Sequence, residues 1–168
     1  MNEFKFDPEE LERLKEIVRL GLAEVENVGE LERFVETAAA EFGLPLGLVS
    51  IVLDGAQHFV AGTGLDDWLA LTRGTPIEWS FCKHAVADKS PFVVPDATKH
   101  PLVRDNPLVL KEGIRSYAGA PLLTKSGHAL GALCVIGTVP REFTPEEIAR
   151  LEALAAEVVA QLESRVEG

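Results

Sequence analysis

The sequence is short of cysteines and long apolar runs, and each shortage excludes a class of protein. Its two cysteines, Cys82 and Cys134, are too few for a disulfide framework. No apolar run reaches the roughly 20 residues that cross a bilayer, and the N-terminus lacks the basic and then apolar pattern of a signal peptide. We therefore predict a cytoplasmic protein with reduced thiols and no membrane partner.

Basic residues are also scarce, with 16 Lys and Arg against 27 Asp and Glu and a net charge of -11. The acidic excess lies in the terminal segments 1–36 and 141–168, whereas the middle of the chain is nearly neutral. A surface that binds nucleic acid needs clustered Lys and Arg to neutralise phosphates. The sequence therefore predicts no nucleic-acid partner.

The spacings typical of metal sites are missing as well. The four histidines are scattered along the chain, at His58, His84, His100 and His128. Neither Cys-x-x-Cys nor His-x-x-x-His occurs, and such spacings are what bring two protein ligands to one metal. The sequence predicts no metal site.

What the chain does have is an amphipathic helix at its start. With 168 residues and 46% hydrophobic content, it is long enough for one domain with an extension. Asp7 and Pro8 begin a helix that we predict over 8–26. Its apolar stripe consists of Leu11, Leu14, Val18, Leu22 and Val25. We interpret residues 1–27 as an N-terminal helix that serves in dimerisation.

Two further helices have apolar faces. One carries Leu31, Phe34, Val35, Ala38, Ala39 and Phe42 and ends at Gly43. The other, predicted over 145–165, follows a capping box that begins at Thr144. Its stripe is Ile148, Leu151, Leu154, Ala155, Val158, Val159 and Leu162. Apolar stripes at both ends of the chain predict a homodimer through helices 8–26 and 145–165.

Between these helices the chain is rich in β-forming residues. Residues 46–53 and 57–62 predict two strands joined by a turn at Asp54-Gly55. Residues 63–78 have no clear period and contain Gly and Pro, so they predict a loop with one helical turn over 67–71. This segment is expected to lie over one face of the sheet.

A short helix, a short strand and a long connection follow. Ser80 is expected to cap a helix over 80–88, and a strand is predicted at 92–94. Residues 96–114 then form a long connection with a helical turn across 107–112. Long connections in compact domains are more often functional than accidental. We expect this one to become ordered when a ligand binds.

Residues 115–138 predict a hairpin that turns at Ser126-Gly127. One face would carry Tyr117, Gly119, Pro121 and Leu123 with Leu130, Ala132, Cys134 and Ile136. The other face is equally apolar, which indicates a central strand pair covered on both sides. Pro121 cannot donate to the ladder and predicts either a bulge or a locally free edge.

These elements predict an α+β fold. Its centre is an antiparallel β-sheet of about five to six strands. The N- and C-terminal helices cover one face, and loops and short helices cover a pocket on the other.

The segment from Ser80 onward resembles a GAF domain. The resemblance rests on SFC, PFVVPDA, DNPLV, GIRSYAGAPL, GxxLGALCVI and PREFT, which occur in the expected order. With the upstream helix and strands it covers residues 28–165. It implies the fold described above in a stand-alone domain, and a small-molecule sensor in signal transduction that acts through dimerisation or a partner protein.

The resemblance also narrows the ligand. Members that bind cyclic nucleotides carry an Asn-Lys and Phe-x-x-x-Asp-Glu pattern that this sequence lacks. Members that hold a covalent bilin attach it through a cysteine followed directly by histidine, whereas Lys83 separates Cys82 from His84 here. Both ligands are disfavoured, and the ligand stays unknown. The free-methionine sulfoxide reductases of this fold use a cysteine cluster that cannot be matched onto two cysteines.

The candidate ligand-binding residues lie around the predicted pocket: Trp79, Phe81, Cys82, Asp96, Asn106, Leu108, Tyr117 and Pro121. For Asp96 a local cap is as good an interpretation as a ligand contact. Asn106 precedes a proline and fits a helix cap better. The aromatic residues fit the core first and a ligand platform second.

The two cysteines support an alternative function. Near a helix N-terminus Cys82 would be reactive, although a small buried thiol is also ordinary core packing. If both were catalytic, the chain would be a thiol-dependent, sulfoxide-reductase-like redox enzyme that uses Cys82 and Cys134. We expect a sensor rather than an enzyme. His84 lies about 200° around the helix from Cys82 and cannot share its ligand, and His100 is a weaker candidate for haem or proton sensing.

Overall fold

The computed structural model describes residues 8–22, 29–53, 56–63, 74–76, 80–111 and 113–167. The helices are α1 (Pro8–Arg19), α2 (Glu32–Phe42), α3 (Cys82–Asp88), α4 (Pro107–Leu110) and α5 (Pro145–Glu167), and a single 3-10 turn (Gly29–Leu31) precedes α2. The strands are β1 (Leu46–Val52), β2 (Ala56–Thr63), β3 (Gly74–Pro76), β4 (Phe92–Val94), β5 (Ser116–Leu123) and β6 (Ala129–Gly137). Within these residues, no helix combines the length and the apolar character needed to traverse a bilayer.

The described strands form one antiparallel sheet of six strands in the order β3-β2-β1-β6-β5-β4. The predicted hairpin supplies β5 and β6, and β6 pairs with β1 at the centre of the sheet. Strands from the two halves of the chain therefore meet in the middle. The predicted α+β architecture is confirmed.

Two apolar cores lie on opposite faces of the sheet. On one face, α1, α2 and α5 pack on residues such as Val49, Ile51, Leu122 and Leu133. On the other face, α3 and the connection after β4 cover a second core that contains Tyr117. Both faces of the central strands are thus buried, which explains why these strands show no alternation of apolar and polar residues.

The predicted helix signals act as expected. The Glu147 N–H donates to Thr144 Oγ1 at 3.1 Å and the Thr144 N–H donates to Glu147 Oε1 at 2.9 Å, which forms the capping box of α5. The predicted stripes of α2 and α5 face the helix-side core, and Gly43 ends α2. Because these stripes pack on the chain's own sheet, they stabilise this domain directly.

The N-terminal helix differs from its prediction. It ends at Arg19, and it buries Arg13 and Ile17 while Leu11 and Val18 are 38% and 65% exposed. The predicted stripe is therefore only partly buried: Leu14 and Leu22 pack in the helix-side core, Leu11 and Val18 do not, and Val25 lies outside the described residues. The Arg13 side chain can be buried because Nη1 donates to the Ala129 carbonyl at 3.0 Å and the guanidinium pairs with Glu10.

The hairpin has the predicted bulge, which also corrects the face of one residue. The register shifts between Pro121 and Leu123, so Leu130 packs in the helix-side core rather than beside Tyr117. Leu123, the last residue of β5, is half-exposed. In the turn, Gly127 has a φ of +89°, as a tight hairpin requires.

Part of the predicted loop is a strand. Residues 74–76 form β3 and pair with β2 at the edge of the sheet. Three residues without alternation leave too little pattern to predict a strand. The predicted helical turn over 67–71 and the turn at Asp54-Gly55 lie outside the described residues.

Candidate functional site

A small cavity of about 30 Å³ lies between the sheet and the layer that contains α3 and α4. Apolar side chains form most of its wall, including Leu48 and Phe59 from the sheet and Leu108 from α4. About 10–15 Å³ by this measure holds one water, so the cavity accepts about two waters or a group of similar size. A larger ligand requires movement of the wall.

Two thiols and a phenol meet at this cavity. Tyr117 Oη donates to Cys82 Sγ at 3.0 Å, and Cys82 Sγ lies 3.9 Å from Cys134 Sγ. Cys82 comes from the first turn of α3, Tyr117 from β5 and Cys134 from β6. All three side chains are buried, so the contacts among them replace hydrogen bonds that water would otherwise provide.

The shared hydrogen bonds separate the acidities of these groups. The contact with Cys134 lowers the pKa of Cys82, aided by Ser50 and Tyr117 and opposed by burial. The same contact with Cys82, together with burial, raises the pKa of Cys134 well above its ordinary value. Burial, followed by the nearby Cys82, raises the pKa of Tyr117. Cys82 is therefore the group in this cluster that ionises first.

The Tyr117 side chain occupies space that is open only because Gly119 has no side chain. A Cβ at Gly119 would overlap the Tyr117 hydroxyl and lie only 2.7 Å from Cζ. Phe81 and Phe92 flank the tyrosine ring with centroid distances of 5.1 and 5.8 Å. The absent side chain at Gly119 and the two rings together direct the Tyr117 hydroxyl to Cys82.

Ser80 fixes the start of α3 over the sheet. Its Oγ accepts from the Lys83 N–H at 3.0 Å, as predicted for a cap, and donates to Gln57 Oε1 at 2.8 Å. Gln57 belongs to β2 and also lines the cavity. The serine thus holds Cys82 in place by connecting α3 to the sheet.

One polar atom near the thiols has no partner. Ser50 Oγ is buried and makes no hydrogen bond of good geometry within the described part of the chain. It nevertheless lies close enough to Cys82 to lower the pKa of that thiol. A buried hydroxyl without a partner is costly unless something binds it.

The predicted ligand-binding residues divide into three groups. Phe81, Cys82, Leu108 and Tyr117 line the cavity, and so does Cys134 from the alternative function. Asp96, Asn106 and Pro121 do not line it. Trp79 lies outside the described residues.

Asp96 and Asn106 have local roles. The exposed Asp96 carboxylate accepts from Thr98 Oγ1 at 2.7 Å and from the Thr98 N–H at 3.1 Å, and these bonds lower its pKa. Asn106 Oδ1 accepts from the Leu108 N–H at 2.8 Å and caps α4. Asn106 therefore positions Leu108 at the cavity.

The two histidine candidates pack against Phe92. The His84 ring lies 4.7 Å from the Phe92 ring, and burial lowers its pKa. The His100 ring meets Phe92 edge-on at 5.3 Å, and His100 Nδ1 accepts from the Leu102 N–H. Neither histidine lines the cavity. Within the described ranges, no three His, Cys, Asp or Glu side chains are grouped to hold a metal ion.

Sequence reasoning missed Ser50, Gln57 and Gly119 as parts of the site. Ser50 is the one polar residue in the run from Leu46 to Leu53, and a hydroxyl in a strand buried on both faces is the signal that could have identified it. Gln57 and Gly119 offered no comparable signal. Their role depends on which residues lie opposite them in the fold.

A larger cleft of about 330 Å³ lies elsewhere, where α1 meets the end of α3 and the start of β6. Its charged groups are already paired: Arg13 with Glu10, and Lys89 with Glu9, each at 2.8 Å. The cleft follows the seam along which α1 packs on the domain. Because these charged groups already bind each other, the cleft is a weaker candidate for a ligand site than the cavity at Tyr117.

The GAF domain family model matches residues 29–162. The chain belongs to the GAF domain family, whose members are sensory and regulatory modules. It is 40% identical over 159 residues to a cyclic di-GMP phosphodiesterase of Pseudomonas aeruginosa. That match covers 94% of this chain but only 26% of the relative, so the chain spans about a quarter of that protein.

Solved GAF domains have the same fold. The GAF domain of a phosphoenolpyruvate-protein phosphotransferase from Coxiella burnetii matches with a TM-score of 0.69 and 21% identity, over 95% of this chain and 96% of that one. A free methionine-R-sulfoxide reductase from Neisseria meningitidis, solved with its substrate, matches with a TM-score of 0.65 and 17% identity, over 97% of this chain and 95% of that one. At these identities the likeness concerns the fold alone.

Proposed function

We propose that this domain senses a small, mainly apolar molecule that binds in the cavity at Tyr117. The observation that carries the proposal is that the Tyr117 hydroxyl and two thiols meet in an otherwise apolar chamber, with the buried Ser50 hydroxyl beside Cys82 behind its wall. Apolar walls with a few convergent polar groups are typical of small-molecule sites. The ligand is expected to offer an acceptor or donor to Ser50 and an apolar body to Phe59 and Leu108.

Binding would require the wall to move, because the cavity admits about two waters as it stands. The movable part is the connection from Asp96 to Ile114. Its helix α4 has four residues, and Leu108 and Ile114 from this connection line the cavity. By contrast, β1 and β6 are held by strands on both sides. Ligand entry would therefore shift the connection and leave the sheet in place.

The signal is proposed to pass to a homodimer or a signalling partner through the outer surface of α1. Leu11 and Val18 are exposed there, whereas the apolar stripe of α5 is already used by the domain core. The phosphodiesterase relative suggests a role in regulating turnover of cyclic di-GMP, with this domain as the sensor. A location in the cytoplasm is part of the proposal, since that compartment keeps thiols reduced.

Native mass spectrometry of the gently purified protein tests the proposal. Leu108→Trp fills the cavity, and Leu110→Trp is its matched control because Leu110 lies two residues along the same helix and is 65% exposed. We expect a co-purified small molecule on the wild-type protein and on Leu110→Trp, and none on Leu108→Trp. Equal occupancy of the two variants, or an empty wild-type protein, would contradict the proposal.

A second candidate function, a thiol-dependent sulfoxide reductase, is favoured by one observation. The 3.9 Å between the Cys82 and Cys134 sulfurs suits a reaction in which two thiols and a sulfoxide yield a disulfide, a sulfide and water. Repeated turnover of methionine sulfoxide in the presence of dithiothreitol, abolished by Cys82→Ala, would favour the enzyme. Absence of turnover in the wild-type protein would exclude it.

A further inference from the structure

We propose that Cys82 and Cys134 form a dithiol site that hydroperoxides oxidise to a disulfide, with Cys82 as the attacking thiol. We also expect oxidation to prevent ligand binding in the cavity, and this part of the inference rests on the proposed sensory function. The oxidation itself does not depend on that function. The chain has only these two cysteines, so one intramolecular disulfide is possible.

The geometry allows this bond after a short movement. The two sulfurs are 3.9 Å apart, and a disulfide bond is about 2 Å long. Cys134 is fixed in the sheet, opposite Leu48 of β1 and Gly119 of β5. Cys82 belongs to a helix of seven residues and is therefore the partner that moves.

Oxidation in two steps needs one thiol that attacks the peroxide and a second thiol that then forms the disulfide. The environments of Cys82 and Cys134 differ accordingly. The Tyr117 hydroxyl donates to Cys82 Sγ at 3.0 Å, and a hydrogen bond of this kind favours a thiolate over a thiol. The contact between the two sulfurs also lowers the pKa of Cys82. Cys134 is fully buried at the centre of the sheet, and its contact with Cys82, followed by burial, raises its pKa. Cys82 is accordingly the nucleophile, and Cys134 is the thiol that resolves the intermediate.

A second, independent observation concerns Ser50. Its buried hydroxyl has no partner of good geometry within the described residues, yet it lies near Cys82. A hydroperoxide at the Cys82 sulfur would bring an oxygen that Ser50 can hydrogen-bond. This would satisfy a polar group that otherwise stays unpaired.

The chemistry balances in two steps. Ionised Cys82 attacks one peroxide oxygen and the O–O bond breaks, which leaves Cys82 as a sulfenic acid. The second oxygen takes the proton that Cys82 lost on ionisation and leaves as an alcohol, or as water when the oxidant is hydrogen peroxide. The Cys134 sulfur then attacks the Cys82 sulfur, the S–O bond breaks, and the hydroxide leaves as water with the Cys134 proton. The two thiols together lose two electrons and the peroxide gains two.

Oxidation would also alter the cavity. Movement of Cys82 toward Cys134 removes the acceptor of the Tyr117 hydroxyl and draws α3 closer to β6. The disulfide and a bound ligand would compete for the same space. Peroxide would therefore switch off ligand binding at this site.

Treatment of the full chain with hydrogen peroxide, followed by denaturation and alkylation, tests the site by intact mass. We expect the untreated protein to take two alkyl groups and the treated protein to take none, as a monomer that reductant restores. A treated wild-type protein that still takes two alkyl groups would overturn the proposal, and so would a disulfide that joins two chains. This readout needs neither a variant nor a ligand.

Variants test the roles of the two thiols. In Cys134→Ala, Cys82 should become a sulfenic acid that a 1,3-dione captures, whereas Cys134 in Cys82→Ala should stay available for alkylation. Tyr117→Phe should slow oxidation about two- to tenfold, as expected for the loss of one hydrogen bond. Equal oxidation of Cys134 without Cys82 would overturn the assignment of the nucleophile.

The two proposals fail in different ways. If peroxide forms the disulfide in a protein that never carries a ligand, the dithiol proposal stands and the proposed sensory function is refuted. If ligand occupancy depends on Leu108 but the thiols resist peroxide, the sensory function stands and the dithiol proposal is refuted.

Discussion

At the scale of single residues, Tyr117 connects the sheet to the thiols. Its ring is buried between Phe81 and Phe92, and its hydroxyl reaches Cys82 because Gly119 has no side chain. The orientation of one aromatic side chain thus depends on a residue two positions along the same strand. Such a dependence can be tested by changing both residues.

Gly119→Ala should displace Tyr117 and lower the free energy of unfolding by about 1–3 kcal/mol, the usual cost of overpacking a core. In a Tyr117→Leu background the same change should cost less, because the ring it would strike is gone. Denaturant unfolding of the four proteins measures this as a double-mutant cycle. Additive effects would show that Gly119 does not serve Tyr117.

The hydrogen-bond partners of some residues could be predicted from the sequence, and those of others could not. The caps at Ser80, Asn106 and Thr144 were predicted because a cap depends on neighbours within a few positions. The partners of Ser50 and Gln57 could not be predicted in the same way. They depend on register and on the packing of layers, which bring together residues far apart in the sequence.

At the scale of elements, α1 is attached to the domain by Ile17 and by the buried Arg13. The position of this helix was hard to predict, because its apolar residues fit two overlapping faces and only contact with β6 selects one of them. The hairpin was easier, since its two runs and the turn between them are contiguous.

Arg13→Ala should weaken the packing of α1 by about 1–3 kcal/mol, because it removes the buried hydrogen bond that Arg13 donates to the Ala129 carbonyl. Arg19→Ala is the matched control, since Arg19 pairs with Glu16 at the same spacing but on the surface, and should cost less than about 1 kcal/mol. Chemical unfolding and hydrogen exchange in residues 8–19 measure both. Similar losses in the two variants would contradict the buried role of Arg13.

The start of α5 makes a prediction about pH. Hydrogen bonds from Arg141, followed by those of the Thr144 cap, lower the pKa of Glu147 from 4.5 to about 2. Because the folded pKa is lower than the unfolded one, the stabilisation is complete above pH 4.5 and is lost as the pH falls toward 2.

Glu147→Gln should therefore reduce the loss of stability between neutral pH and pH values of about 3. The exposed Glu146 lies on the same turn, and Glu146→Gln should leave the pH dependence close to that of the wild-type protein. Thermal unfolding across this range is the measurement. A wild-type pH dependence in Glu147→Gln would refute the role of Glu147.

At the scale of the whole molecule, the sheet separates two apolar cores. The helix-side core holds the terminal helices, and the opposite core holds the thiols beneath α3 and the connection. This layered architecture could be predicted because strands that are apolar on both faces need a cover on each. The small size of the cavity could not, since it depends on how individual side chains interlock.

Val18→Glu should dissociate the proposed homodimer, because Val18 is exposed on α1 and a charge there would be buried on association. Val139→Glu is the control, as Val139 is 63% exposed but follows β6. Sedimentation velocity at micromolar concentration should show a dimer for the wild-type protein and the control, and a monomer for Val18→Glu. A monomeric wild-type protein would refute the dimer.

The central claim is that a ligand in the cavity at Tyr117 orders the connection above it. Hydrogen exchange tests this directly on wild-type protein as purified and after its bound molecule has been removed by unfolding and refolding. We predict faster exchange from Asp96 to Ile114 in the stripped protein, with unchanged exchange in β1 and β6. Equal exchange in this connection before and after removal would contradict the account.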